Sequence, residues 1–129
     1  MEVKLEVRYA DLDTLGHVNN AVYLTYFEQA RVHLLSEYYR KTKGDFDFVI
    51  AHAEVDYLHP IFLEEIRVRV WVSRIGNTSF TLSYEIYNAE DVLCARGNTV
   101  QVVYDARRGT KKPIPEDFRQ YLARYLRGG

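Results

Sequence analysis

Cysteine is almost absent from this sequence, which contains a single one, at position 94. One cysteine cannot form an internal disulfide, and the paired cysteines of a zinc site are missing as well. The apolar runs are far shorter than the roughly 20 residues that a membrane-spanning helix needs, and no signal peptide is recognisable at the start. We therefore expect a soluble, cytoplasmic protein that does not associate with a membrane.

An excess of charge of one sign is also lacking, since 17 basic and 18 acidic residues give a formal net charge of −1. This balance does not indicate a nucleic-acid-binding protein. A Gly-x-Ser-x-Gly element and a glycine-rich phosphate loop with lysine are both missing, which excludes two common enzyme signatures. Residues 105–129 nevertheless carry seven basic and three acidic side chains. This tail is either an ordinary charged surface or a site for a phosphate-bearing ligand.

The length of 129 residues and the hydrophobic content of 47% predict one folded domain over residues 1–129. Residues 3–9 alternate between apolar and polar side chains, which predicts a half-buried strand ending near Tyr9. From about Asn20 to Arg40 the apolar spacing changes to three and four, which predicts a helix. We expect this helix to be covered on most sides, because its central stripe of Tyr23, Phe27, Ala30, Leu34 and Tyr38 is widened by Val22, Leu24, Val32 and Leu35.

Four further strands are predicted over residues 48–59, 66–73, 80–86 and 92–104. A loop is predicted at 42–45, and Gly76-Asn77 is a hairpin signal. A second helix should begin near Glu116 and bury Phe118, Tyr121, Leu122, Tyr125 and Leu126. Hairpin-linked strands form antiparallel sheets, and an apolar helix packs on the inner face of such a sheet. The pattern therefore predicts an α+β fold in which a five-stranded antiparallel sheet is wrapped around one long central helix, with a short C-terminal helix.

The segment Asp11–Asn20, DLDTLGHVNN, is the part of the chain richest in reactive groups. It leads into the predicted helix, whose first N–H groups are unpaired donors at the positive end of the helix dipole. Such donors polarise a carbonyl, and an Asp a few residues earlier can attack it or deprotonate a water. Gly16 would let the backbone pass close to a ligand. A thioester suits this arrangement, because a thiolate leaves without a strong acid.

Each of these residues also has a purely structural interpretation. Asp11 or Asp13 could cap a turn, Asn19 or Asn20 could only cap the helix, and His17 could be an ordinary loop histidine. The two aspartates and His17 could in principle hold a metal, but metal sites usually have more ligands and no second cluster is visible. We therefore expect neither a metal nor a cofactor.

A wider stretch, residues 9–31, reads YADLDTLGHVNNAVYLTYFEQAR. It resembles the signature of hotdog-fold thioesterases of the 4-hydroxybenzoyl-CoA thioesterase family in its D-x-D-x-x-G loop, its G-H-V-N-N run and its Y-F-E-x-A-R helix. The HVNN run is also similar to that of plant acyl-ACP thioesterases, and residues 74–80 resemble the family's hairpin between middle strands. The resemblance implies a hotdog fold and an acyl-CoA thioesterase.

In that family the second Asp of D-x-D is the catalytic carboxylate, so the resemblance implies that Asp13 acts as general base or as nucleophile. The thioester carbonyl would be polarised by a backbone N–H at about Asn20. Members specific for benzoyl groups have aromatic residues where this chain has Asn19 and Asn20, which weakens the case for an aromatic acyl group. His17 replaces an apolar residue, so it would position water, hold Asp13 or pack.

Other residues are expected to bind the substrate or to compete with Asp13. Glu28 is the rival carboxylate, although Arg31 at i+3 favours an ion pair. The acyl-CoA would contact Gly16, Asn19, Tyr23 and Tyr57, and its phosphates would need cations, for which the candidates are Arg74, Arg107, Arg108, Lys111 and Lys112.

The resemblance also implies an assembly and a set of alternatives. Hotdog domains place their active sites between subunits, so we expect a homodimer or a homotetramer built as a dimer of dimers. The alternatives to an acyl-CoA thioesterase are an acyl-ACP thioesterase, a dehydratase acting on acyl thioesters, and a non-catalytic acyl-CoA-binding module. Asp13 argues against the last of these, and the loop of the dehydratases is not found.

Overall fold

The computed structural model describes residues 1–42 and 47–127. A first strand, a 3₁₀ turn at Tyr9–Asp11 and a long helix open the chain; four long strands, one short strand and a short helix follow. The strands are β1 (Glu2–Glu6), β2 (Asp47–Tyr57), β3 (Glu65–Ile75), β4 (Ser79–Tyr87), β5 (Leu93–Asp105) and β6 (Thr110–Lys111), and the helices are α1 (Val22–Thr42) and α2 (Glu116–Ala123).

All strand pairs in the sheet are antiparallel, and the long strands lie in the order β1-β3-β4-β5-β2. β2 is therefore an edge strand that pairs only with β5 among the described elements. Its register begins at Asp47 opposite Tyr104 and ends at Tyr57 opposite Ala95. The end of β2 consequently lies beside the start of β5.

The predicted hotdog architecture is confirmed, with one long helix, a short C-terminal helix and an antiparallel sheet. The predicted number of five strands is wrong, because the described residues form a sheet of six. β6 pairs with Tyr104 and Asp105, beyond Val102, where the register of β4 on β5 ends. β6 consists of only two polar residues. It therefore shows no alternation of apolar and polar side chains from which the sequence could predict a strand.

Helix α1 packs against the sheet through the stripe that its spacing predicts. Its stripe residues Tyr23, Phe27, Ala30, Leu34 and Tyr38 are all buried, and Leu35 is buried with them. The prediction that the helix is covered on most sides is wrong for a single copy of the chain. Leu24 is 42% exposed and Val32 is 59% exposed, because the single sheet covers only one side of the helix.

Three smaller predictions need correction. Tyr9, which was predicted to end the first strand, lies in the 3₁₀ turn and is 83% exposed. Leu126 lies beyond the end of α2 and is exposed, so it is not part of the buried face formed by Phe118, Tyr121 and Leu122. Thr42, placed at the start of a loop, belongs to α1, and the rest of that predicted loop falls on residues outside those described.

Neither helix in the described ranges combines the length and the apolar character that crossing a bilayer requires.

Gly97 allows the helix to approach the sheet closely. A Cβ at this position would lie 2.1 Å from the carbonyl oxygen of Glu54 on β2 and 2.8 Å from a ring carbon of Phe27. Phe27 in turn stacks on Tyr84 with ring centroids 4.2 Å apart. The absence of a side chain at Gly97 therefore fixes the contact between α1 and the β2–β5 pair.

We predict that Gly97→Ala lowers the free energy of unfolding by about 3 kcal/mol, the upper part of the usual range for overpacking, because a backbone oxygen must move. Urea denaturation at a fixed protein concentration measures this loss. The control is Gly16→Ala, whose added Cβ would meet no atom within 4 Å. The backbone φ of +85° at this position would cost an alanine roughly 1 kcal/mol of strain. Equal losses in the two variants would contradict the packing role of Gly97.

Candidate active site

Asp11 is a buried carboxylate whose oxygens are fully engaged. One oxygen accepts hydrogen bonds from the Arg8 guanidinium, with Nη2 at 2.8 Å and Nε at 3.1 Å. The other accepts the Arg8 backbone N–H at 2.9 Å and the Tyr26 hydroxyl at 2.7 Å. The residue is 1% exposed. Asp11 therefore has a structural role in which it joins the start of the loop to helix α1.

The environment of Asp11 stabilises its charged form. Burial acts to raise the pKa of this carboxyl, but the hydrogen bonds from Arg8 and Tyr26 outweigh it and hold the pKa below its usual value. Burial, followed by the hydrogen bond to Asp11, raises the pKa of the Tyr26 hydroxyl. Tyr26 thus remains a donor and Asp11 remains an acceptor at neutral pH.

Backbone hydrogen bonds close the loop between Asp11 and the helix. The Asn19 N–H donates to the Asp11 carbonyl at 2.9 Å, and the Val18 N–H donates to the Ile61 carbonyl at 2.8 Å. Val18 is 1% exposed. The segment from 12 to 17 is therefore a short excursion whose two ends are fixed on the core.

Asp13 lies within this excursion and faces solvent more than Asp11 does. Its Oδ1 accepts the Leu15 N–H at 2.8 Å, while its backbone N–H donates to the His17 carbonyl at 2.9 Å. Its carbonyl accepts the Gly16 N–H at 3.1 Å, and the left-handed φ of Gly16, +85°, completes the turn. Its side chain is 28% exposed. Asp13 is thus a fixed carboxylate that solvent can reach.

His17 lies directly against this carboxylate. Its Nδ1 is 3.2 Å from Asp13 Oδ2, and its ring stands edge-on to Phe62 with centroids 6.4 Å apart. The side chain is 34% exposed. Asp13 and His17 therefore form a carboxylate–imidazole pair at the surface of the loop.

The backbone N–H of Asn20, two residues before α1, is an available donor. Asn19 Oδ1 accepts the Ala21 N–H at 3.0 Å, a side-chain turn that leads into the first residue of α1. The Val22 N–H donates to the Asn19 carbonyl, and the Asn20 carbonyl accepts the Tyr57 hydroxyl at 3.0 Å. No acceptor for the Asn20 N–H is present in the described part of the chain. This N–H can therefore donate to a group from outside the described chain.

Two clefts are lined by these groups. The first, of about 470 Å³, is lined by Tyr9, Leu12, Asp13, Thr14 and Gly16. The second, of about 240 Å³, is lined by His17, Val18, Asn20, Tyr23, Tyr57, Leu58, His59 and Pro60. Of the predicted site residues, Asp13, Gly16, His17, Asn20, Tyr23 and Tyr57 line these clefts. Lining residues such as Leu58 and Pro60 were not predicted. They reach the site through the fold, because residues after β2 return to the start of α1, and no local pattern signals this.

The two tyrosines of the second cleft support each other. Tyr23 and Tyr57 make an edge-to-face contact with centroids 4.9 Å apart. Tyr23 is buried, and burial raises the pKa of its hydroxyl to about 12. Tyr57 is half exposed and holds the Asn20 carbonyl. Tyr23 therefore keeps its proton at neutral pH, and both rings line the cleft wall.

The predicted cations lie at the other end of the sheet. Arg107 and Arg108 donate their backbone N–H groups to Asp105 at the end of β5, and Lys111 belongs to β6. Ten residues of β5 separate Asp105 from Ala95, the partner of Tyr57, which is about 33 Å of strand. Arg74 and Lys112 lie near the same far end, by the β3–β4 hairpin and just after β6. A single chain therefore does not bring these cations to Asp13.

The contacts of Glu28 and of the two aspartates bear on the alternative interpretations of the site. Glu28 is an exposed partner of Arg31, at 3.7 Å, as its spacing predicts, and Arg31 itself is buried against the Tyr84 hydroxyl. In the described ranges no three His, Cys, Asp or Glu side chains converge as a metal site would require. Asp11 contacts Arg8 and Tyr26, which leaves it unable to join Asp13 and His17.

Comparison with known proteins identifies the family to which this chain belongs. The model of the thioesterase-like superfamily matches residues 7–122. A 1,4-dihydroxy-2-naphthoyl-CoA hydrolase of Nostoc punctiforme is 31% identical over 122 residues, which cover 90% of this chain and 82% of that protein.

Solved structures agree over almost the whole chain. A predicted thioesterase from Bacillus stearothermophilus superposes with a TM-score of 0.91 and 29% identity, covering 99% of this chain and 97% of that one. A thioesterase from Thermus thermophilus, solved in complex with coenzyme A and Zn, gives a TM-score of 0.85 and 36% identity, covering 96% of this chain and 92% of that one.

We predict that Asp11→Asn lowers the free energy of unfolding by about 2 kcal/mol at pH 7, the value of hydrogen bonds to a charged group. The pKa of this carboxyl is lower in the folded protein than when unfolded. Its contribution is therefore complete above its ordinary value of about 4 and is lost as the pH falls through the folded value. Denaturation of both proteins at pH 7 and pH 3 measures the difference. This account would be contradicted if the difference in free energy of unfolding between wild type and Asp11→Asn were the same or larger at pH 3 than at pH 7.

Proposed function

Because the chain belongs to the thioesterase-like superfamily and is a thioester hydrolase, we propose that it hydrolyses an acyl-CoA to the free acid and coenzyme A. The observation that carries this proposal is the available Asn20 N–H just before α1, which lines a cleft together with His17, the partner of Asp13. A carbonyl placed against this donor would be polarised in line with the helix dipole.

In this mechanism the Asn20 N–H stabilises the oxyanion that forms when water attacks the thioester carbon. One well-placed donor of this kind contributes about 3 kcal/mol to catalysis. The new C–O bond forms, the C–S bond breaks, and coenzyme A departs as a thiolate. Asp13 supplies the carboxylate on which activation of the water depends. Its oxygens already contact the Leu15 N–H and His17, which favours water over Asp13 itself as the nucleophile.

Coenzyme A is favoured as the carrier over an acyl carrier protein. The T. thermophilus structure with 36% identity holds coenzyme A, and the N. punctiforme relative acts on a CoA thioester. The cluster formed by Arg107, Arg108, Lys111 and Lys112, here called the basic hairpin, offers the charge that CoA phosphates require. A single buried cysteine fits a protein working in the reducing cytoplasm.

The active form is proposed to be a homodimer, or a dimer of dimers, closed through β2. This edge strand exposes Val49, Ile50 and Tyr57, and α1 exposes Leu24 and Val32. An unpaired apolar edge is a surface that folded proteins cover. A second copy of the chain would cover both the edge and the helix face.

Such pairing would also solve the problem of the distant cations. Two identical edges related by a twofold axis pair antiparallel, so the start of β2 in one copy lies beside the end of β2 in its partner. The start of β2 adjoins the basic hairpin through Tyr104, and its end adjoins Asn20 through Tyr57. Each active site would then combine Asp13, His17 and Asn20 of one copy with the basic hairpin of the other.

We predict that Asp13→Asn lowers kcat for acyl-CoA hydrolysis at least 100-fold, which is the usual contribution of acid–base catalysis, while the melting temperature changes little. Release of free coenzyme A, followed with a thiol-reactive dye, measures the rate. Asp11→Asn is the comparison, and its loss of kcat per folded molecule should be much smaller. A dead Asp11→Asn variant beside an active Asp13→Asn variant would reverse the assignment.

A composite site predicts complementation between two defective variants. Replacing Arg107, Arg108, Lys111 and Lys112 together with Gln should raise KM for acyl-CoA with kcat nearly unchanged, because the phosphates are bound equally in ground and transition states. Mixed dimers of this variant with Asp13→Asn should regain one low-KM site per dimer. The control is an acyl-pantetheine, which lacks the nucleotide phosphates and should show little change in KM.

If mixed dimers show only the sum of the two parental activities, the basic hairpin does not act across the interface. If KM rises equally for acyl-CoA and acyl-pantetheine, the nucleotide is bound elsewhere.

A further inference from the structure

Three large apolar side chains are exposed in the loop that follows β2. Leu58 is 47% exposed, Phe62 is 50% exposed and Leu63 is 58% exposed. These three residues are here called the apolar lip. Single exposed hydrophobic residues are common on folded proteins, but a group of them in one short loop is typical of a binding surface.

The loop that carries the apolar lip is fixed on the core. Ile61 is 0% exposed, and its carbonyl accepts the Val18 N–H at 2.8 Å. The carboxylate of Glu64 accepts the Phe62 N–H at 3.0 Å and the Ala89 N–H at 2.9 Å. Because the backbone is held on both sides of Phe62, the lip is a formed surface before any ligand arrives.

The apolar lip adjoins the smaller cleft of the candidate site. Leu58 lines this cleft together with Asn20 and Tyr23. The Phe62 ring stands edge-on to His17, another lining residue, with centroids 6.4 Å apart. An apolar chain that leaves the cleft on this side therefore passes onto the lip.

The distribution of charge assigns the two arms of an acyl-CoA to different sides of the cleft. Residues 58–63, LHPIFL, include no Asp, Glu, Lys or Arg, so this side suits an apolar chain better than a phosphate. The phosphate-bearing arm requires cations, which the proposed dimer brings to the β2 edge as the basic hairpin. With the carbonyl on the Asn20 N–H, the acyl chain is the arm left for the lip.

The length of the acyl group follows from where the lip lies. The smaller cleft, of about 240 Å³, encloses a short chain or an aromatic ring beside Tyr23 and Tyr57. Such compact groups end inside the cleft and gain nothing from Phe62 or Leu63. A long, flexible chain continues past His17 and covers the lip.

We propose that the substrate carries a long aliphatic acyl chain, whose first carbons lie in the smaller cleft and whose distal methylenes lie on the apolar lip. This inference rests on the proposed thioesterase function. The lip residues determine specificity by binding the chain and take no part in bond breaking. The hydrophobic effect supplies the affinity, because both the chain and the half-exposed side chains leave water.

Binding of alkyl-CoA thioethers, which cannot be hydrolysed, tests this proposal without turnover. Butyl-, octyl- and dodecyl-CoA are titrated into the wild-type protein in a calorimeter. Kd should fall about twofold for each methylene that reaches the lip, because a methylene that stays half exposed gains about half the free energy of full burial.

A variant with both Phe62→Ser and Leu63→Ser removes most of the apolar lip. Kd for dodecyl-CoA should rise about tenfold, while Kd for butyl-CoA changes by less than about twofold. KM for dodecanoyl-CoA and butyryl-CoA should follow the same pattern with kcat nearly unchanged. The control is Leu126→Ser, which is 48% exposed beside Val72 in β3 and should keep the wild-type dependence on chain length.

Three results would overturn the proposal. The first is a wild-type Kd that does not change with chain length. The second is a Kd that rises equally for butyl- and dodecyl-CoA in the double variant, which would mean that the substitutions act through the contact with His17. The third is a smaller assembly of the double variant in light scattering, with binding lost at every chain length, which would assign the lip to contact between copies.

Failure of this proposal and failure of the proposed function are distinguishable. If the wild-type protein releases coenzyme A from butyryl- and dodecanoyl-CoA with equal KM, acyl-CoA hydrolysis stands and the role of the lip is wrong. If it releases no coenzyme A from any acyl-CoA but binds dodecyl-CoA through the lip, the proposed hydrolysis is wrong and the acyl-chain site stands.

Discussion

The candidate site depends on one buried carboxylate that lines neither of its clefts. Asp11 accepts hydrogen bonds from the backbone and guanidinium of Arg8 and from the Tyr26 hydroxyl, and its carbonyl accepts the Asn19 N–H. These contacts join β1, the loop and the first turns of α1 at a single point. Because charge-assisted hydrogen bonds are short and directional, the loop between Asp11 and Asn19 has little freedom at either end.

This constraint explains why two aspartates stand two residues apart with different roles. Asp11 is buried and fixes the start of the loop. Asp13 lies in the segment 12–17, whose position Asp11 helps to fix. The same anchoring places the Asp13–His17 pair at 3.2 Å and leaves the Asn20 N–H just before α1 without an acceptor in the described chain. In the proposed mechanism, groups that are held before the substrate arrives need no reorganisation during the reaction.

The sequence predicted the elements well because most of them have a strong hydrophobic period. The long helix and the four long strands follow from local spacing, whereas β6 has only two polar residues and depends on pairing with Tyr104 and Asp105. The exposure of Leu24 and Val32 reflects a surface that one chain does not cover. Asp13 and Asn20 line separate clefts, and the basic hairpin lies far from Asp13. Both facts follow from the tertiary fold, so no local sequence pattern predicts them.

The position of the thioester carbonyl tests the central claim most directly. A crystal structure with an acyl-CoA analogue, in which a methylene replaces the thioester sulfur, would show it without turnover. The account predicts the carbonyl oxygen about 3 Å from the Asn20 backbone nitrogen, with the Asp13–His17 pair on the side from which water attacks the carbonyl carbon. A carbonyl oxygen bound away from the start of α1, with the Asn20 N–H left to solvent, would contradict it.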